Sequence, residues 1–258
     1  MLPKILILSI TATLPLSAAP LRDMSTDRPD ATESPITVDA GHFQIESTFF
    51  DYSRDRENGV KSEVFTYGSL NLKAGLLDNV DLQIVLDSFI EETTKSQGVR
   101  TTVSGFGDLQ ARVKINFWGN DGGATALGLM PFVKIPTGTA VSNGEWEGGI
   151  ILPFSMELTE KIGLGLMAEA DFVHTGDDYA TEFVHSAVIG YDLTDKIGTF
   201  IEYIGVAGSE GDSSYRATAQ TGITYALSEN MMLDTGVRVG LNDAAEDFGV
   251  FVGGSIRY

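Results

Sequence analysis

The stretch "DLQARVKINF" at residues 108–117 alternates without a fault. Leu109, Ala111, Val113, Ile115 and Phe117 share one parity, and Asp108, Gln110, Arg112, Lys114 and Asn116 share the other. A helix would scatter those charges around its circumference, whereas a strand gathers them on one face. "VDLQIVLDSFI" (80–90) sets Leu82, Ile84, Leu86 and Ile90 against Asp81, Gln83 and Asp87. "MLDTGVRVGL" (232–241) sets Leu233, Val237, Val239 and Leu241 against Asp234 and Arg238. The chain therefore predicts a sheet with one apolar and one polar face.

The punctuation between these runs is regular. "LLDNVD" (76–81), "LTEKIG" (158–163), "LTDKIG" (193–198) and "LSENMM" (227–232) are variants of one tight connection, and "GNDGG" (119–123) is equally short. Such connections join neighbouring antiparallel strands. Between them lie longer polar stretches centred on residues 53–59, 92–102, 137–145, 175–180, 208–214 and 242–247. Short and long connections alternate throughout. The pattern predicts about twelve strands of roughly ten to thirteen residues, the length that crosses a membrane at a tilt. An even number brings both ends of the chain to one rim, where the short turns also lie. A soluble sandwich would alternate too, but it has no need of alternating loop lengths. Closure into a barrel also removes the open sheet edges that lipid cannot hydrogen-bond.

The start of the chain reads as a signal peptide over residues 1–19: Lys4, an apolar run from Ile5 to Leu16, then Ser17, Ala18 and Ala19. No later apolar run is long enough for a membrane-spanning helix, a fact that does not bear on a barrel. Cysteine is absent, so the chain is not held by disulfides. A net charge of -19 argues against nucleic acid as a partner. The closing "FGVFVGGSIRY" places Phe248, Val250, Val252, Gly254, Ile256 and Tyr258 on one face and ends on an aromatic. The expected fold is thus all-β: a closed, antiparallel, up-and-down transmembrane barrel over residues 42–258, with both termini periplasmic.

With the apolar faces turned to lipid, the opposite register points inward. It carries Glu46, Lys73, Asp81, Asp87, Asp108, Arg112, Lys114, Lys134, Glu157, Glu169, Asp171, Glu202, Asp234, Arg238 and Arg257. Two readings are open: ion pairs that brace the wall, because unpaired buried charge is costly, or a charged eyelet that selects permeants. The same count turns Phe50, Phe65, Tyr67, Phe89, Phe132, Phe200 and Phe251 inward. A slip of one residue would reverse any of these assignments. The histidines, His42, His174 and His185, come with no nucleophile elbow and no metal-ligand spacing. No catalytic residue, metal or cofactor is expected.

Before the first strand, "TDRPDATESPITVDAGHFQIE" (26–46) begins as a polar segment broken by Pro29 and Pro35. The prolines keep residues 20–41 from joining the sheet. This segment is expected either to tether the barrel at its periplasmic mouth or to fold inside as a plug, with Asp27, Arg28, Asp30 and Glu33 meeting wall charges. The same motif resembles the start of the outer-membrane transporter family of the MetA pathway of phenol degradation. The likeness continues through "GFGDLQARVKINFW", "FVKIPTG", "LTDKIGTFIEY" and the closing strand. It implies a bacterial outer-membrane channel for small organic solutes, aromatic or otherwise apolar. The alternative is a non-conducting structural or surface-interaction barrel with a packed charged interior. The partners implied are outer-membrane lipid, lipopolysaccharide, the barrel assembly machinery and a small organic solute.

Overall fold

The computed structural model describes residues 21–176, 178–209 and 214–258, so the expected signal peptide lies outside the described residues. The elements are β1 (Phe43–Glu57), β2 (Val60–Leu77), β3 (Val80–Ser96), β4 (Val99–Gly105), β5 (Leu109–Trp118), β6 (Thr125–Ile135), β7 (Glu147–Thr159), β8 (Ile162–Thr175), β9 (Asp178–Asp192), β10 (Ile197–Gly208), β11 (Arg216–Ser228), β12 (Met231–Gly240) and β13 (Phe248–Arg257). Consecutive strands pair antiparallel except β4 and β5, and β1 pairs with β13 from Gln44↔Arg257 to Arg54↔Phe248. Strand β3 pairs with β5 along its first half and with β4 along its second. The wall is therefore a closed ring of twelve strands with β4 as one extra.

Closure works because the alternation holds around the ring. Outward side chains such as Ile150, Leu152, Ile189, Ile201, Ile223 and Leu233 are exposed, forming the apolar belt that lipid requires. Phe117, Trp118, Tyr191, Tyr225 and Tyr258 ring the rim that carries the termini and short turns, which is the periplasmic side of such barrels. Inward side chains are buried although polar: Gln44, Asp81, Gln83 and Lys114 are 0–1 % exposed.

Two expectations need correction. Residues 53–59 and 92–102 are not loops. Strands β1 to β3 run 15–18 residues and turn sharply at Asn58–Gly59 and Gln97–Gly98, all four residues having positive φ. That is the backbone a two-residue hairpin turn needs. The strands thus rise beyond the membrane as paired hairpins.

The second correction concerns register. The β1–β13 pairing shifts between Thr48 and Phe50, and Gly68 on β2 has φ +67° at the same level. Thr48 faces inward, where it accepts from Arg28. Beyond the bulge Asp51 faces inward instead, opposite the buried Phe251 and paired with Arg238. Phe50 and Tyr52 consequently turn outward with Val252 and Val250 opposite. Phe65, Tyr67 and Phe89 follow them through the β1–β2 and β2–β3 ladders. Of the seven aromatics expected to point inward, only Phe132, Phe200 and Phe251 line the interior. The other four form an outward cluster with Tyr52, ring centroids 4.7–6.4 Å apart.

Candidate functional site: a charged lumen threaded by the N-terminal segment

The twelve strands enclose a space that residues 21–42 occupy. Asp27 sits at its centre. Its carboxylate accepts from Lys73 and Lys114 and from the backbone N–H of Ser34 at 3.0 Å. Lys73 also pairs with Glu46, which accepts the backbone N–H of Asp27 at 3.1 Å. Arg28 reaches the opposite wall, donating to both carboxylate oxygens of Asp234 at 2.6 and 2.9 Å. A side chain at Gly253 would collide with that guanidinium, so the wall is cut back there.

Further along, Glu202 accepts from the backbone N–H groups of Ala31 and Thr32 at 2.9 and 2.8 Å and from the Thr32 hydroxyl at 2.6 Å. Gln220 donates to the Pro29 carbonyl at 3.0 Å, and Asn116 to the Pro35 carbonyl at 2.9 Å. Asp81 accepts the Val38 N–H at 3.0 Å. These contacts have a physical logic. An irregular segment inside a closed barrel brings unpaired backbone groups with it, and buried polar groups must find partners. The wall supplies them as Asp, Glu, Asn and Gln side chains on its inward register. Near the periplasmic mouth Asp39 pairs with Arg22 at 2.7 Å and with Arg257 at 3.3 Å.

The structure places the sequence-selected wall residues in three groups. Glu46, Asp81, Arg112, Lys114, Glu202, Asp234 and Arg257 contact the N-terminal segment. Arg238 braces the wall through Asp51 at 2.6 Å, and Asp108 lies at the extracellular end of β5, 3.6 Å from Lys134. Asp87, Glu169 and Asp171 face inward and form no ion pair among the described residues. Gln44, Gln83, Asn116 and Gln220 are uncharged and escaped the sequence reading. Their parity matched the charged residues, and that was the signal available.

Two cavities flank the segment. One, of about 390 Å³, lies between it and the β6–β10 wall, bounded by Asp30, Glu33, Ile36, Ala126, Val188 and Phe200. The other, of about 140 Å³, lies between the segment and strands β1–β3 and β5, bounded by Arg28, Glu46, Thr48, Asn71 and Arg112. Glu33 borders both. It pairs with Arg112 at 2.5 Å through Oε1, while its Oε2 is buried with no hydrogen-bond partner among the described residues.

The three acids of the segment titrate differently. Burial would raise Asp27, but the ammonium groups of Lys114 and Lys73 outweigh it and hold the carboxyl far below its usual range. Burial pushes Asp30 up to about 8, helped by the Glu202 carboxylate. Burial pushes Glu33 up to about 7; repulsion from Asp27 adds to this and Arg112 only partly offsets it. A raised carboxyl favours the seated segment while both seated and released forms are protonated. The advantage shrinks from the ordinary values near 4 upward and is gone once the seated groups ionise. The Asp27 contribution has the opposite sign and fades only as pH falls below 3.8. The seat is therefore tightest near pH 4–5 and weakens toward pH 8. In Val38→Cys, labelling by a maleimide should accelerate from pH 5.5 to 8.5 after correction for thiolate content. Adding Asp30→Asn and Glu33→Gln should flatten the profile.

A closed antiparallel barrel with an apolar outer belt, aromatic rims and a charged interior is a bacterial outer-membrane β-barrel. The chain belongs to the family described as "Putative MetA-pathway of phenol degradation", whose model matches residues 26–258. A comparison with curated protein sequences returned no match. Among solved structures, the COG4313 outer membrane channel from Pseudomonas putida F1 superposes with a TM-score of 0.68 at 16% identity, covering 91% of this chain and 100% of that one. The translocator domain of the autotransporter NalP from Neisseria meningitidis gives 0.53 at 12% identity over 85% and 89% of the two chains. The NanC porin gives 0.52 at 9% identity over 83% and 98%. At these identities the likeness is one of fold.

Proposed function

We propose that the protein is an outer-membrane channel for small organic solutes, with residues 21–42 as its internal gate. The observation that carries this reading is the pair of cavities on either side of the segment, separated at Glu33 and Arg112. A solute from the outer side meets the polar cavity first. It then passes the Glu33–Arg112 pair and enters the larger cavity, where Ile36, Ala126, Val188 and Phe200 offer apolar surface. Those linings suit a compact solute with an apolar or aromatic body and a polar end. Two of the fold relatives are an outer membrane channel and a porin, which supports the reading of a conducting barrel.

The density of contacts between segment and wall also favours a second reading, a barrel that is closed at rest and serves as structure. Solute flux separates the two. Liposomes carrying the purified protein should swell in small aromatic and acyl solutes faster than in sugars of similar mass; no swelling in any solute would reject the channel. When current flows, Asp87 leaves the lumen a carboxylate with no ion pair among the described residues, so cations should pass somewhat more readily than anions. A reversal potential of the anion-selective sign in a salt gradient would refute this.

A further inference from the structure

The extended β1–β4 hairpins carry a feature that neither the lumen nor the gate explains. Arg56 pairs with Lys61, Lys61 with Lys95, and Lys95 with Arg100. Four cations thus stand in one row across four adjacent strands. They share the parity of Tyr52 and Phe65, the face that the bulge at Thr48–Phe50 turns outward. Like charges directly opposite each other destabilise a sheet, and this row contains three such pairings in succession. Guarding a sheet edge accounts at most for Arg56 and Arg100, which stand on the two outer strands of the extension; Lys61 and Lys95 lie on β2 and β3, which are paired on both sides at this height.

Internal compensation is partial. Glu63 alone bridges Lys61 and Lys95, at 2.7 and 2.8 Å. Arg56 and Arg100 are exposed, and their side chains make no hydrogen bond or ion pair among the described residues. Arg54, one row lower on the same face and opposite Glu63, has a buried Nε with no hydrogen-bond partner among the described residues. With Glu91 also on this face, the patch keeps three positive charges in a chain whose net charge is -19.

The vertical order matters as much as the charge. Phe50, Tyr67 and Phe89 lie lowest, Tyr52 and Phe65 next, then Arg54 and Glu63, then the cationic row. Tyr52 and Arg56 are four residues apart, which on a tilted strand is roughly 10 Å of height. The row itself spans about 14 Å at the usual strand spacing. An aromatic girdle marks the hydrocarbon boundary, and the cations stand just above it on the extracellular side.

We infer that this outward face is a docking site for a phosphorylated glycolipid of the outer leaflet, lipopolysaccharide. Its acyl chains would lie on the Phe50–Tyr67–Phe89 cluster. Its head-group phosphates would be received by Arg54, Arg56, Lys61, Lys95 and Arg100. Guanidinium and ammonium groups in this array offer the charge-assisted donors that phosphate oxygens require.

The test uses full-length mature protein in detergent, titrated with diphosphorylated lipid A and read by native mass spectrometry. The wild type should hold one lipid per barrel. R56Q/K61Q/K95Q/R100Q should bind at least about tenfold more weakly, while its heat-modifiable gel migration shows the barrel folded. R56K/R100K keeps the charge and should retain most of the affinity. K161Q/K196Q removes two cations from the periplasmic turns and should bind as wild type. Millimolar inorganic phosphate should not displace the lipid. Equal binding by the quadruple variant, equal loss in K161Q/K196Q, or displacement by phosphate alone would each overturn the assignment.

Discussion

Deleting residues 22–38 is expected to raise single-channel conductance severalfold without unfolding the barrel. The wall does not need the segment for its hydrogen bonds: every strand is paired on both sides around the ring, and β1 closes on β13 independently. What the deletion removes is the matter between the two cavities and the partners of Lys73, Lys114, Glu202 and Asp234. Those wall charges are buried only because the segment covers them. Exposed to a water-filled lumen they regain hydration, so the cost that unpaired charge carries in a dry interior does not arise. Planar-bilayer recording of the deletion variant beside the wild type gives the result directly. Unchanged conductance, with heat-modifiable migration intact, would leave the segment as a tether and remove the gate from the proposed function.

The barrel was legible because its determinant is local. An alternation such as Leu109 to Phe117 needs no knowledge of any partner strand, and tight turns announce antiparallel neighbours. The inside of the barrel was legible only as parity. The inward register selected Glu202 and Asp234, but nothing in the chain pairs Thr32 with a residue 170 positions away or Arg28 with one 206 positions away. Those pairings follow from where closure brings the strands. Parity failed where the backbone itself breaks step. Phe49 and Phe50 are consecutive aromatics in a run that otherwise alternates, and Gly68 sits inside β2; together they were the trace of a bulge. The bulge reversed Phe50, Phe65, Tyr67 and Phe89 and created the outward cationic row. Residues 53–59 and 92–102 were misread as loops because polar composition resembles loop composition. Above the membrane, however, a strand can be polar on both faces.

Asp27→Asn should loosen the segment more than any other single substitution in it. Asp27 is the only carboxylate in ion-pair contact with Lys114 among the described residues, and it shares Lys73 with Glu46. Lys114 is 1 % exposed, so neutralising Asp27 strands a buried cation. Breaking one side of a buried pair costs about 3–5 kcal/mol. The neighbouring cavities can admit water to Lys114, which puts the expected effect at the lower end. About 3 kcal/mol is roughly a hundredfold in the population of the released segment. The chain has no cysteine, so Val38→Cys, at a position 5 % exposed, gives a single reporter whose labelling rate follows that population. Labelling should accelerate by roughly that factor in Asp27→Asn at pH 7. Asp30→Asn should act in the opposite direction at pH 8.5. Asp30 is half-buried near Glu202, Glu33 and Asp27, so removing its ionisation relieves repulsion. Two aspartates three residues apart thus hold and release the same segment. Equal effects of the two substitutions would show that the segment is retained by packing and not by charge.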